Sequence, residues 1–324
     1  TSDRELAYKT LLSIKLCTSN NDCFIGSKKY IYDLFNFKKN FLYIDKGYHT
    51  DVSNKKYKKI ISKKGVIVNI DEEGGVDFKN NPTLKQRYSR YAIDSYKKIF
   101  LWGQIQKNLL SNDQQKKAII SGSPRFELLK NKYNYLLEDQ IKYIKKIGKY
   151  ILICTNMSFG NNIKGDEFVY NNYINRFPNI KNLIDYDKQK ISIFIKLIKN
   201  ILHVSDLNIV LRVHPEENKN TYISQLPVNK KLNINNKYSV HPWLTSCELL
   251  IHHDCTTGVE SRLANKPTIS YLENYSEELV TYAPIELSHK IFSLDEINTI
   301  LKNENYKKIS YINNNILNTF FSSN

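Results

Sequence analysis

A chain of 324 residues exceeds what one hydrophobic core usually supports, so its length calls for two domains of roughly 150 residues each. It carries 48 Lys plus Arg against 32 Asp plus Glu, a formal charge of +16, while 41% of its residues are hydrophobic, which excludes global disorder. No run approaches the roughly 20 apolar residues needed to cross a bilayer and no signal-peptide pattern opens the chain, so a soluble or peripheral protein is expected.

In chain order, apolar runs bounded by Gly, Pro and Asn alternate with longer helical patterns, which predicts an α/β chain with mostly parallel sheets. Residues 6–16 read as a helix, 22–26 as a short strand entering a turn, and 41–45 as another strand. GVIVNI at 65–70 is a buried-strand pattern ending in the acidic turn Asp71-Glu72-Glu73-Gly74-Gly75. Strands at 98–102 and 117–121 repeat the scheme, the second running into Gly122-Ser123-Pro124-Arg125. A Lys- and Tyr-rich helical stretch over 131–149 precedes YILICT at 150–155, which begins a fresh series. The domain boundary is therefore expected near residue 148, with domains 1–148 and 149–324. The second half predicts a long helix over 188–203, strands at 208–213, 248–252 and 268–271, and a helix over 258–264. The end from 297 reads as mainly helical, its last helices packing back on the N-terminal domain. Two such Rossmann-like domains facing across a cleft would collect four turns at strand carboxyl ends, 71–75, 122–125, 212–216 and 254–258.

The charge itself says little, because 41 of the 48 basic residues are lysines in a chain also rich in Asn, Ile and Tyr. The seven arginines are more informative, since a guanidinium suits forked phosphate and carboxylate recognition. The five cysteines, Cys17, Cys23, Cys154, Cys247 and Cys255, form no CxxC pair, which disfavours a zinc ribbon or disulfide framework and suits a reducing cytoplasm. The chain opens at Thr1 without an initiator Met, so preceding residues are expected.

Three consecutive carboxylates before two glycines oppose one another's ionisation, so the acidic turn is either solvated or used, as nucleophile or general base. In Arg212-Val213-His214-Pro215-Glu216, Pro stiffens the strand exit while Arg212 and His214 present cationic or hydrogen-bonding groups, a phosphate-ribose reader; His241 before Pro242 reads as loop packing. Thr256-Thr257-Gly258 after Cys255 can cap a helix, hold an anion on its N-terminus, or both, with Glu260 turned toward ribose hydroxyls. His252 and His253 are adjacent on a strand and point to opposite faces, which argues against a chelate. Arg125 either reads an anion or pairs with Glu127, and Trp102-Gly103 reads as packing.

Taken in order, Arg4-Glu5-Leu6, Phe24-Ile25-Gly26, Tyr43-Ile44-Asp45-Lys46-Gly47, Asp71-Glu72-Glu73-Gly74, Trp102-Gly103, Gly122 to Glu127, Thr155-Asn156-Met157-Ser158-Phe159, Arg212 to Glu216 and Cys255 to Glu260 resemble the bacterial surface-carbohydrate biosynthesis proteins, which look like GT-B glycosyltransferases. That family is similar in turn to the retaining β-Kdo transferases of capsule and lipopolysaccharide synthesis, which use CMP-Kdo, and to transferases of related nonulosonic acids.

The resemblance implies a GT-B enzyme that moves a Kdo-like or nonulosonic acid from its CMP donor to a glycan or lipid-linked acceptor, with retention. Glu73 matches the nucleophile, with Glu72 and Asp71 as alternatives. Arg212, His214, Pro215, Glu216, Thr256, Thr257, Gly258, Glu260, Asn156 and Ser158 fall on the nucleotide side. Arg125, Ser123, Arg4 and Lys46 fall on the sugar and acceptor side. The sequence departs from the family in having Glu before the Gly and Ser123 where Asn is usual. No cofactor, metal or nucleic-acid partner is implied, and a cytoplasmic location with peripheral contact at the inner membrane face is expected. The alternatives are CDP-polyol phosphotransfer of the teichoic-acid type and a catalytically silent nucleotide- or glycan-binding subunit.

Overall fold

Most strands in the computed structural model grow from a short apolar run that ends at a turn former, and every adjacent pair is parallel. The structure describes residues 3–18, 20–48, 50–74, 76–302, 304–309 and 314–321. The first sheet has the order β1-β2-β3-β4, from Leu42–Asp45, Val66–Ile70, Lys98–Leu101 and Ala118–Ile120. The second has the order β10-β9-β8-β5-β6-β7, from Tyr150–Cys154 (β5), Asn208–Arg212 (β6), Leu232–Ile234 (β7), Leu249–His252 (β8), Thr268–Tyr271 (β9) and His289–Ile291 (β10). These are two Rossmann-like parallel sheets of the GT-B type. No described helix is long and apolar enough to cross a membrane.

The chain divides into two compact units, residues 1–136 with 314–324, and residues 137–313. The helix Glu138–Lys145 packs against His241–Ser246 and so falls with the second unit. At the far end, Asn314–Phe320 packs on Gln104–Asn108, and Phe321 lies 5.9 Å from the Trp102 ring and 6.0 Å from Phe126.

In the second unit all five residues of β5 are buried, as a central parallel strand covered on both faces requires. The helix Ile180–Val204 runs longer than its apolar pattern suggested and lays Ile191, Phe194, Ile198 and Ile201 on that sheet's core. Gly160 lies so close to this helix that an added Cβ would stand 2.7 Å from the carbonyl oxygen of Ile184. Only glycine permits that approach.

In the first unit, residues 22–27 correct the sequence expectation of a strand. They form no ladder, because the sheet ends at β1, and Ser27 instead caps the helix Lys28–Leu34 by accepting the Tyr30 N–H at 3.2 Å. The helical stretch expected over 131–149 is split into a 3₁₀ turn, Asn131–Leu137, and the α-helix Glu138–Lys145.

Candidate functional site

The acidic turn leaves the carboxyl end of β2, and the surrounding elements sort its three carboxylates into different environments. Asp71 is buried and held by Arg87, whose Nη2 donates to Oδ1 and whose Nε donates to Oδ2 at 3.4 Å, while the Tyr88 hydroxyl donates at 3.3 Å. Arg87 and Tyr88 stand at the end of the helix Pro82–Arg87. Its first amides, of Thr83 and Leu84, donate to Asp77 Oδ2 at 2.8 Å each, a cap that Asn81 does not supply. The indole N–H of Trp102, after β3, donates to the Asp71 carbonyl.

Glu72 turns the other way. It accepts from the Tyr8 hydroxyl, and the ammonium groups of Lys9 and Lys46 lie 2.9 and 3.9 Å from its oxygens. The same lysines hold Glu5, at 2.7 and 2.6 Å. Burial lifts the Glu72 carboxyl above its ordinary range. Against the same push of burial, Lys46 and Lys9 hold Glu5 far below its own. Glu73 is the exposed member: its side chain is 63% exposed against 6% for Glu72, with Arg87 Nη1 at 3.4 Å. Its N–H donates to Asp71 Oδ1 at 3.1 Å, an Asx turn that orients it.

Arg125 does not pair with Glu127, which bonds Lys130 at 2.6 Å. Arg125 is 2% exposed, and its guanidinium stacks 5.3 Å from the Trp102 ring and donates to the Glu72 carbonyl at 3.3 Å, so it braces the acidic turn from within. Ser123 is buried beside it at the N-cap of Pro124–Glu127. Gly75 and the Arg4 side chain lie outside the described residues.

In the second unit a residue that the sequence reading passed over, Glu217, gathers the strand-end turns. It accepts from Thr155 Oγ1 at 2.8 Å, the Met157 N–H at 2.9 Å and the Tyr222 hydroxyl at 2.6 Å. Thr155 Oγ1 in turn accepts the His214 N–H at 3.1 Å. The turn after β5, carrying Asn156 and Ser158, is thereby pinned to the turn after β6. His214 is half-buried and its Nδ1 accepts the Glu216 N–H at 3.3 Å, so the neutral ring carries its proton on Nε2; Pro215 and Glu216 are exposed. Arg212 is turned away from ligand reading: it donates to the carbonyls of Asn235, Lys237 and Tyr238 at 3.2, 3.0 and 2.9 Å and stacks on Trp243.

The turn after β8 continues into the helix Thr256–Leu263, N-capped by Cys255, with Thr256 and Thr257 half-buried at its start and Glu260 buried one turn in. A Cβ on Gly258 would meet His252 Nε2 at 2.4 Å, so this helix sits directly on the β8 histidine. The two histidines diverge as their strand positions require. His252 reaches Ser288 at 2.9 Å, while His253 bonds Tyr186 at 3.3 Å and Asp254 at 3.2 Å. Below this turn lies a buried ionic cluster. Lys190 Nζ is 2.7 Å from Asp187 and 3.5 Å from Asp254, Asp187 accepts the Phe159 and Gly160 amides, and Asp254 accepts the Thr281 N–H. Lys190 was legible as a charged residue on the core stripe of an amphipathic helix. Glu217 carried no comparable signal.

Burial pushes His252 down to about 3 and lowers His253 as well. His252 stays neutral in the folded protein and takes up a proton only on unfolding, so it costs about 2 kcal/mol of stability between pH 7 and pH 5, and His253 acts in the same direction. Asp187, which burial raises to about 6, gives back about 1 kcal/mol over that interval. Urea unfolding at both pH values checks this: His252→Asn should remove about 2 kcal/mol of the pH dependence, and an unaltered dependence would refute it.

The chain matches no family model and no curated protein in sequence. Among solved structures it is similar to UDP-GlcNAc 2-epimerase from Methanocaldococcus jannaschii, at 14% identity and TM-score 0.57, over 98% of this chain and 86% of that one. It is also similar to that epimerase in complex with UDP-GlcNAc and UDP, at 14% identity and TM-score 0.53, over 99% and 78%. A variant of the wall teichoic acid polymerase TagF soaked with CDPG matches at 11% identity and TM-score 0.50, over 86% and 66%. At these identities the likeness establishes the fold.

Proposed function

We propose that the protein is a glycosyltransferase that moves a Kdo-like or nonulosonic acid from its CMP donor to a surface-glycan acceptor, with retention of configuration. The observation that carries the reading is the sorting of the acidic turn. Of three carboxylates at the end of β2, only Glu73 is presented to solvent, and it is oriented by Arg87 and by its own Asx turn. A nucleophile must be reachable; Asp71 and Glu72 are buried in ion pairs.

Glu73 attacks the anomeric carbon as the bond to the donor phosphate breaks and CMP departs. The acceptor hydroxyl then displaces the enzyme carboxylate, and two inversions give net retention. Within the second unit, His214 Nε2–H, the amides opening Thr256–Leu263, Asn156, Ser158 and the Thr256 and Thr257 hydroxyls are the groups suited to a nucleotide's phosphate and ribose. Glu217 serves by holding the His214 and Thr155 turns together. Lys46, whose side chain is 44% exposed beside Glu72, is the cation for the sugar's carboxylate. Arg125 and Arg212 act through the loops they brace.

A second reading, CDP-polyol phosphotransfer, draws support from the likeness to TagF soaked with CDPG and from the half-buried His214 at a strand end. The M. jannaschii epimerase complex with UDP-GlcNAc and UDP adds nucleotide-sugar binding within the same fold. One assay separates these readings. The protein is incubated with CMP-Kdo, CMP-pseudaminate, CMP-legionaminate, CMP-sialate, CDP-glycerol, CDP-ribitol and UDP-GlcNAc, with and without glycan acceptors. CMP release from one of the four CMP-ulosonates is expected. Release only from a CDP-polyol transfers the assignment to the second reading, and conversion of UDP-GlcNAc alone discards both.

A further inference from the structure

Half of the chain's net charge lies in residues 28–64, where eleven lysines face three aspartates for a local charge of +8 out of +16. The fold brings part of that charge to one place. Asn40 N–H donates to the Lys63 carbonyl at 3.2 Å and Val66 N–H to the Phe41 carbonyl at 2.8 Å, so the segments entering β1 and β2 lie side by side at the amino-terminal edge of the first sheet. That edge is opposite the carboxyl ends that carry the acidic turn.

Aromatic rings stand out of the same edge. Phe37 is 83% exposed and Phe24 48%, and the Lys38 ammonium sits 5.4 Å over the Phe24 ring. Lys59 lies 3.9 Å over the half-exposed Tyr32. Phe37 does not dangle: its N–H and that of Lys38 both donate to the Leu34 carbonyl at 3.0 Å, a hydrogen-bonded turn that holds the ring outward. Lysines interleaved with outward aromatic rings match an anionic bilayer, whose surface potential attracts the ammonium groups while rings settle at headgroup depth. Residues 24–66 contain no arginine, the side chain suited to forked phosphate reading in nucleic acids, so diffuse attraction to headgroups is the better fit.

We propose that this edge of the first unit docks on an anionic lipid bilayer, with Phe37 and Phe24 entering the headgroup layer and Lys38, Lys39 and Lys64 facing lipid phosphates. The proposal is independent of which donor the enzyme uses.

The test is flotation of the full chain with vesicles of equal parts phosphatidylglycerol and phosphatidylcholine, against pure phosphatidylcholine. Binding to the anionic vesicles only is expected. Lys38→Glu with Lys39→Glu should weaken it about tenfold or more, and Phe37→Ser should weaken it at unchanged net charge. A control with the same charge change elsewhere, Lys199→Glu with Lys302→Glu, should retain it. All of these sites are exposed, and circular dichroism verifies that each variant folds. Equal binding to pure phosphatidylcholine, equal weakening by the control pair, or binding to single-stranded DNA in place of vesicles would overturn the proposal.

Discussion

Glu73→Gln should lower turnover of the CMP-sugar donor about a thousandfold or more while leaving donor affinity nearly unchanged. The amide keeps the size and the reach toward Arg87 but lacks the electron pair that must form the bond to the anomeric carbon. A thousandfold loss corresponds to about 4 kcal/mol of transition-state stabilisation, which is large for one side chain and reasonable for a covalent participant. Glu72→Gln should behave differently. Its carboxyl is buried between Tyr8 and Lys9, so the change disturbs the turn and the Lys46 ammonium without removing the attacking group. Steady-state CMP release, donor affinity by calorimetry, and intact mass for a sugar adduct separate the outcomes. If Glu72→Gln abolished the adduct and Glu73→Gln kept full rate, the nucleophile would be Glu72.

The largest stability effect belongs to Lys190. Its ammonium, 3% exposed, is the cation that Asp187 and Asp254 share in the second unit, and Lys190→Met would leave two buried carboxylates facing one another. Removing one partner of a buried ionic cluster costs about 3 to 5 kcal/mol, a substantial part of the 5 to 15 kcal/mol that typically holds a domain together. The pH dependence gives the mechanism away. Burial raises Asp187 to about 6 even beside Lys190, whereas Lys190 and the His253 hydrogen bond hold Asp254 far below the carboxylate range against the same burial. Without Lys190, the Asp187 carboxyl should take a proton on folding, so the deficit relative to wild type should shrink as the pH falls from 7 toward 5. Urea unfolding of both proteins at the two pH values measures this. Lys190→Met with Asp187→Asn should recover part of the loss at pH 7, and a deficit independent of pH and of Asp187 would mean that lost packing, rather than stranded charge, is the cause.

Much of the fold was legible because its signals are local. Runs such as GVIVNI and YILICT are apolar over the length of a buried parallel strand and end at turn formers, so β2 and β5 could be located without knowing their neighbours. The edge strands β7 and β10 were not: β4 is as short, but its AII is wholly apolar and leads into Gly122, whereas LNI and HKI are broken by polar residues. Residues 22–26 failed for the opposite reason: they have the composition of a strand, but a strand exists only when a partner lies beside it.

The candidate site divides the same way. The positions of the acidic turn after β2, of His214 after β6 and of Thr256 and Thr257 before a helix follow from the order of residues along the chain. Which carboxylate is presented was decided by Arg87 and Tyr88, sixteen and seventeen residues beyond Asp71 in another element. Arg212 and Arg125, attractive as anion readers on composition, were claimed by backbone carbonyls and indole rings that only folding brings near. Strand and helix formation are chosen by neighbouring residues, whereas ion pairing and exposure depend on what the sheet order β10-β9-β8-β5-β6-β7 and its crossover helices place at each strand end. Sequence alone located the strand-end turns; the tertiary structure decided which of their side chains are buried in ion pairs and which stay exposed, because a charge leaves water only where the fold supplies its partner.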